Sequence, residues 1–193
     1  MDTKDQILTA ARAAFDRHGP EGLSMRDIAK EVGITPMAIY RHYENKQALI
    51  DALVLDALGE WSRRAEAIPA GAPLLFLARI GEAFLDFALD EPRRFEAAFL
   101  IHTTKARRYP DDFIAGHSPA GTLQLNAITQ ATADGIFADI SPGEILVTIA
   151  GLAQGLVSLH RAGRIAGGEE EFRALYRRAM RRTIESFLKE KSP

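Results

Sequence analysis

Residues 24–46 read SMRDIAKEVGITPMAIYRHYENK, and this stretch decides the fold. Ser24 stands before an apolar-periodic run with Asp27 three residues on, a helix start of the capping-box type. Ile28, Ala29 and Val32 fall on one face at helical spacing. Gly33 ends that helix because it tolerates the left-handed backbone of a sharp turn. Thr35 caps a second helix, and Pro36 takes its first position, where a missing N–H costs nothing. Two short helices across a Gly-containing turn make a helix-turn-helix over about residues 25–44, whose second helix can enter a DNA major groove.

Working outward, helical periodicity continues in both directions. Ile7, Leu8, Ala11, Ala14 and Phe15 form an apolar stripe that ends near His18-Gly19-Pro20. Asn45 caps a long helix, with Leu49, Leu53 and Trp61 on its buried side, predicted to run to about Ile68. PAGAP at 69–73 breaks the chain. A helix follows from Leu74 to Leu89, then a short one from Pro92 to about His102. Residues 103–117 lack periodicity and read as a loop. Ser118-Pro119 starts a helix predicted to reach about Ala138. Ser141-Pro142-Gly143-Glu144 is a full capping box for a helix to Gly163. After Gly167-Gly168, a last helix covers Glu169 to about Lys189. The pattern is all-α with about nine helices and no strand alternation. The expected domains are a DNA-binding head over 1–62 and a larger bundle over 63–193.

Composition bounds the function. A chain of 193 residues with 47% hydrophobic content builds one or two packed domains. It has no cysteine, which excludes disulfides and thiolate metal sites and fits a reducing cytoplasm. No long apolar run announces a membrane span, and MDTKDQILTA lacks the apolar core of a signal peptide. The net charge is −2, and residues 1–50 hold seven Lys/Arg against seven acids. Formal charge therefore gives DNA binding no help; what counts is where the positive groups cluster. A helical protein-interaction module without DNA binding remains the alternative. No nucleophile elbow, P-loop or dinucleotide motif is present, and His102, His117 and His160 lack metal-ligand spacing, so neither an enzyme nor a cofactor is expected.

The first fifty residues resemble the tetracycline-repressor (TetR) family of bacterial transcriptional regulators. Gly19 and Gly22 through Ala29 match that family's Gly-x-x-[Ser/Thr]-x-x-x-Ile-Ala opening. Gly33-Ile34-Thr35 match the turn, Ile39 to Tyr43 match the Leu/Ile-Tyr-x-His-Phe/Tyr segment, and Lys46 matches the basic start of the next helix. Further on, Glu91-Pro92-Arg93-Arg94-Phe95 and residues 151–163 are similar to a C-terminal subtype named for a Trp-His-Gly signature. Gly155 fits the glycine of that signature, whereas Gln154 stands in place of its His and no Trp is nearby.

The resemblance places Tyr40 and His42 at the DNA backbone. Tyr43 has two readings, a phosphate contact or a core ring. Thr35, Pro36, Met37 and Ala38 begin the recognition helix; Thr35 caps it and can touch phosphate, and Met37 and Ala38 offer only apolar contacts. Arg41 can read guanine or bind phosphate. Arg26 reaches phosphate or forms a surface ion pair. Lys46 opposes the dipole of the helix it starts, so helix stability does not explain it and phosphate does.

In the bundle, Trp61, Phe84, Phe87, Phe95, Phe99 and Phe113 could line a cavity for a small apolar or amphipathic ligand, with His102, Tyr109 and His117 orienting it. Ordinary core is the competing reading. Ile145, Ile149, Leu152, Leu156 and Leu159 form one stripe, and Phe172, Leu175, Tyr176, Ala179, Ile184 and Phe187 a second. In the resembled family two such helices per subunit make a four-helix dimer interface. The implied protein is a cytoplasmic, non-membrane homodimer that represses transcription from a palindromic operator until a ligand releases it. Its two recognition helices would be spaced by about one DNA turn (~34–36 Å).

Overall fold

The computed structural model describes residues 2–103, 106–109 and 111–189; Thr104, Lys105 and Pro110 of the expected loop lie outside them. Ten helices occur among the described residues: α1 (Thr3–His18), α2 (Met25–Val32), α3 (Pro36–Ile39), α4 (Lys46–Glu66), α5 (Pro73–Asp90), α6 (Pro92–Phe99), α7 (Asp111–Ile114), α8 (Pro119–Ala133), α9 (Pro142–Arg161) and α10 (Glu169–Glu185). They divide into two compact units, residues 1–60 with 91–106, and residues 61–90 with 107–193. The fold is all-α as the periodicity implies. Residues 91–106 lie in the N-terminal unit, an assignment that sequence order does not suggest.

The N-terminal unit is built around Ile7, Ala11, Phe15, Ile28, Ala29, Ile39, Leu49 and Leu53, all nearly inaccessible to solvent. Ala97 of α6 belongs to the same cluster, with Ala98 and Ile101 packed against it. That burial explains why α6 joins this unit. Polar contacts reinforce it: Arg12 of α1 binds Asp56 of α4 at 2.7 Å, and Arg94 of α6 lies 3.6 Å from the same carboxylate. Buried Asp51 accepts from Thr103 and from Gln47.

The C-terminal unit packs α5, α8, α9 and α10 around Phe87, Leu85, Ile128, Ile145, Val157, Phe172 and Tyr176. Trp61, near the end of α4, meets Phe84 edge-on at 5.3 Å and stacks on Phe87 at 6.0 Å, with the Arg64 guanidinium 5.1 Å from the Phe87 ring. α9 alone among the described helices is long and apolar enough to cross a membrane by composition, although only 28% of its apolar window is buried in the subunit. Its inner face is Ile145, Leu146, Ile149, Ala153 and Val157; Val147, Gly151, Gly155 and Leu159 face outward.

Several boundaries differ from the sequence expectation, each for a local reason. A one-turn helix, α7, forms inside the 103–117 segment, held by Asp112 accepting from Arg108 N at 2.6 Å and meeting His117 at 3.1 Å. α6 stops at Phe99, where Glu96 O takes both Leu100 N and Ile101 N. α8 stops at Ala133 because Gly135 turns left-handed, at φ 69°. α10 stops at Glu185, since Leu188 forms an antiparallel bridge with Phe137, and backbone pairing replaces the next helical turn. At α9, Ser141 makes no side-chain cap; the proline at the first helical position starts that helix without a capping box.

Replacing Phe87 with Ala removes a fully buried ring that stacks on Trp61 and lies against the Arg64 guanidinium. Urea unfolding should show a loss of about 3–5 kcal/mol.

Candidate nucleic-acid interface

Three caps position the helix-turn-helix. Asp27 N donates to Ser24 Oγ at 3.3 Å, Ala38 N donates to Thr35 Oγ1 at 3.2 Å, and Ala48 N donates to Asn45 Oδ1 at 2.8 Å. Between the first two, Gly33 sits at φ 77°, ψ 26°, and its N–H returns to the end of α2. A side chain tolerates that backbone poorly, so the turn is glycine's. The second helix is shorter than the periodicity implies. It is one α turn, Pro36–Ile39, followed by tighter bonds from Arg41 N to Ala38 O and from His42 N to Ile39 O.

Ile39 is fully buried and pins this segment to the core, which turns its other side chains outward. Met37 is 74% exposed and Tyr40 is 48% exposed, so both side chains are available beside the turn. Thr35, Pro36 and Arg41 are exposed, and Ala38, His42 and Lys46 are half-buried. Arg26 is exposed on α2 and borders a cleft of about 600 Å³ with Ser24, Asp27, Lys30, Ile34 and Pro36. Lys30 is absent from the sequence-based candidates. Its signal was available: it follows Arg26 by four residues, so both lie on one face of α2.

Tyr43 departs from the phosphate reading. It is 5% exposed, its hydroxyl donates to Lys4 O at 3.5 Å, and Lys4 Nζ lies 5.8 Å from its ring. Burial, and next the charge of Asp5, push its phenol above the ordinary value of 10.0. The ring is core, and its one polar atom is turned to α1.

The electrostatics resolve the formal neutrality of the head. Arg12 and Arg94 are bound to Asp56, and Arg17 to Glu31 at 3.5 Å. Among the described residues, Arg26, Lys30, Arg41 and Lys46 form no ion pair. The acids of the same stretch are not absent: Asp27 lines the cleft and Glu44 is exposed. Still, these four unpaired cations lie on α2, just after α3 and at the start of α4, while the Asp56 ion pairs join α1, α4 and α6. Free cations beside a capped, exposed helical turn can bind phosphate oxygens.

Comparison with known proteins agrees with this geometry. The profile of "Bacterial regulatory proteins, tetR family" matches residues 7–53, and that of "Tetracyclin repressor-like, C-terminal domain" matches residues 77–183. The chain belongs to the TetR family. It is 30% identical to the tetracycline repressor protein class A from transposon 1721 of Escherichia coli over 173 residues, 86% of this chain and 72% of that protein. It is also 30% identical to the transcriptional regulator TtgR of Pseudomonas putida over 153 residues, 75% of this chain and 71% of that one. A solved protein of unknown function from Rhodococcus sp. RHA1 shares the fold with a TM-score of 0.79 at 21% identity, covering 98% of this chain and 97% of its own. TetR-family proteins are transcriptional regulators and not enzymes. They bind DNA operators and small-molecule ligands and act as dimers.

The remaining candidates are divided between the two units. Phe95 is fully buried and 5.2 Å from Phe99 in the N-terminal unit, where His102 is exposed. Trp61, Phe84 and Phe87 cluster in the C-terminal unit. There Tyr109 and Phe113 meet at 5.8 Å, and His117 is exposed beside Asp112. The nine do not form one cluster within either unit. On the expected dimer stripes, Ile145, Ile149, Phe172 and Tyr176 are buried in their own subunit and have no side chain left for a partner. Leu152, Leu156, Leu175 and Ala179 are half-buried, and Leu159 is 42% exposed.

Thr35→Ala should lower stability by about 1 kcal/mol in thermal unfolding, because Ala38 N loses its acceptor; Thr35→Ser should retain it. Tyr43 gives a pH dependence. Its phenol titrates higher folded than unfolded, so its contribution is full below pH 10.0 and is lost as pH rises through the folded value. Alkaline unfolding of Tyr43→Phe should lose part of that dependence, and Tyr176, raised further by burial and then Glu82, supplies another part.

Proposed function

We propose that this chain is a homodimeric repressor that binds a palindromic operator through Arg26, Thr35, Pro36, Met37, Ala38, Tyr40, Arg41, His42 and Lys46, and releases it when a small apolar or amphipathic molecule binds the C-terminal unit. One observation carries the reading: the cations around α3 are unpaired whereas others of the head are tied up in ion pairs. Arg41 is the one side chain of α3 and its following turn that can grip a guanine edge with two hydrogen bonds. Met37 and Ala38 suit a thymine methyl, and the remaining groups suit phosphate.

A single head offers few base-reading side chains, so specificity requires two of them. The outward face of α9, with Val147, Gly151, Gly155 and Leu159, supports a two-fold partner, because small residues let a facing helix approach closely. α4 enters both compact units, Lys46 in one and Trp61 in the other, which makes it the proposed link between ligand and operator. The ligand acts only by its unequal affinity for the two conformations. The aromatic group Trp61, Phe84 and Phe87 remains the candidate to sense it. The protein is placed in the cytoplasm with its DNA.

Selection of bound duplexes from random sequence should return an inverted repeat with half-sites about one helical turn apart. On that site, Lys46→Ala should weaken binding evenly across sequences and lower the slope of log affinity against log salt by about 1. Enrichment of no sequence, or an asymmetric site, refutes the dimeric reading; an unchanged slope refutes the role of Lys46.

A further inference from the structure

Within the C-terminal unit, α5 and α10 run antiparallel, and a ladder of ion pairs sets their register. Arg173 Nη1 donates to Asp86 Oδ1 at 2.6 Å. One turn on along α10, Arg177 grips Glu82 with Nε at 2.9 Å and Nη2 at 2.8 Å, and Glu82 lies one turn back from Asp86 on α5. Those hydrogen bonds, more than the bare charge of Glu82, hold the Arg177 guanidinium above its ordinary range. The next turn of α10 carries Arg181. Its counterpart, one turn back from Glu82, is Ala78. The third rung has a base and no acid. Among the described residues, Arg181 and neighbouring Arg79 form no ion pair, and both are exposed.

At that rung a groove of about 690 Å³ opens between the two helices, with Arg79 and Arg181 on its rim. Leu74, Leu77, Met180, Ile184 and Leu188 give it a mainly apolar lining, and Glu82, Asp86 and Arg177 of the ladder, tied to α10 or α5 by their ion pairs, border it. Tyr176 closes part of its wall but donates its hydroxyl to Gly81 O at 3.1 Å, so the phenol has no donor left for a carboxylate. Gly81 keeps the middle open, since a Cβ there would meet nothing within 4 Å. From Arg181 the strip follows one turn of α10, about 6 Å at helical rise, and continues past the helix end to Leu188, room for a medium-length alkyl chain. Glu185 also lines the groove, one turn past Arg181, and opposes a second negative group on the apolar part.

We propose that this groove binds a monocarboxylate with a medium-length alkyl chain, its carboxylate supplying on Arg181 the rung that Ala78 leaves out. The fork of a guanidinium matches a carboxylate in two parallel hydrogen bonds, as Arg177 already shows with Glu82. The volume lies in the range of small-molecule sites. Arg177, Arg181 and Ile184 occupy the flank of α10 opposite Leu175 and Ala179, so the site is independent of the proposed dimer face. It is likewise independent of operator binding, because occupancy is read directly.

Isothermal titration of the full chain with octanoate tests it, with 1-octanol as the same tail lacking charge. Octanoate should bind once per chain. 1-Octanol should bind at least about ten-fold more weakly, and Arg181→Gln should weaken octanoate by a similar factor. Ala78→Glu places the missing acid in the ladder and should also weaken octanoate at least about ten-fold. Both substitutions are at exposed helical positions, so folding survives them. No octanoate binding, equal binding of 1-octanol, or octanoate affinity unchanged in the two variants overturns the proposal.

Discussion

The carboxylate of Asp56 holds the head together. Arg12 reaches it from α1 and Arg94 from α6, while Arg94 also binds Glu91 at 2.8 Å. All these groups are less than one-third exposed. Charges at that depth are costly when unpaired, so each depends on the others. Arg12 Nε already lacks a partner, which leaves little polar satisfaction to spare. The cluster also has an electrostatic effect at a distance. It absorbs Arg12 and Arg94 on the core side, whereas Arg26, Lys30, Arg41 and Lys46 form no ion pair among the described residues. Residues 1–50, with seven acids and seven bases, thus present unpaired cations around α3.

The same logic of paired and unpaired charge governs the C-terminal unit. There the α5–α10 ladder lies at the surface, where an ion pair adds little stability. Its value is positional. Two rungs fix the register of α10 against α5, and apolar packing of Phe172, Tyr176 and Met180 supplies the holding energy. Where the acids stop, the helices keep their register but lose the bridge, and a groove results.

Sequence reading was strongest where structure is set by the nearest few residues. Ser24, Thr35 and Asn45 cap as their spacing implies, Gly33 adopts its left-handed turn, and each Pro at a first helical position starts a helix. It was weakest where distant chain competes with local preference. α10 loses its last turn to a backbone bridge with Phe137, and α6 joins the head because Ala97 and Ile101 find apolar neighbours there. Tyr43 illustrates the limit within the site itself. Its place beside His42 suggests phosphate, yet burial depends on α1, forty residues earlier, which no local pattern reports. Lys30 is the opposite case, a residue whose i, i+4 relation to Arg26 was visible but not used.

α9 shows why an apolar stripe does not name its partner. Ile145, Ile149, Leu152, Leu156 and Leu159 share helical spacing, but the helix is apolar around most of its circumference, so spacing alone cannot say which residues face inward. Packing decides: Ile145 and Ile149 are consumed by the subunit, and Val147, Gly151, Gly155 and Leu159 form the remaining face. A helix this apolar with so little of it covered requires something against its outer side. In the proposed dimer that cover is the same helix of a second chain, and the need is reciprocal. A recognition segment of one α turn presents too few base contacts to select an operator alone, and a half-covered α9 is exposed alone. One two-fold axis answers both deficits, which ties the smallest helix of the head to the most apolar helix of the bundle.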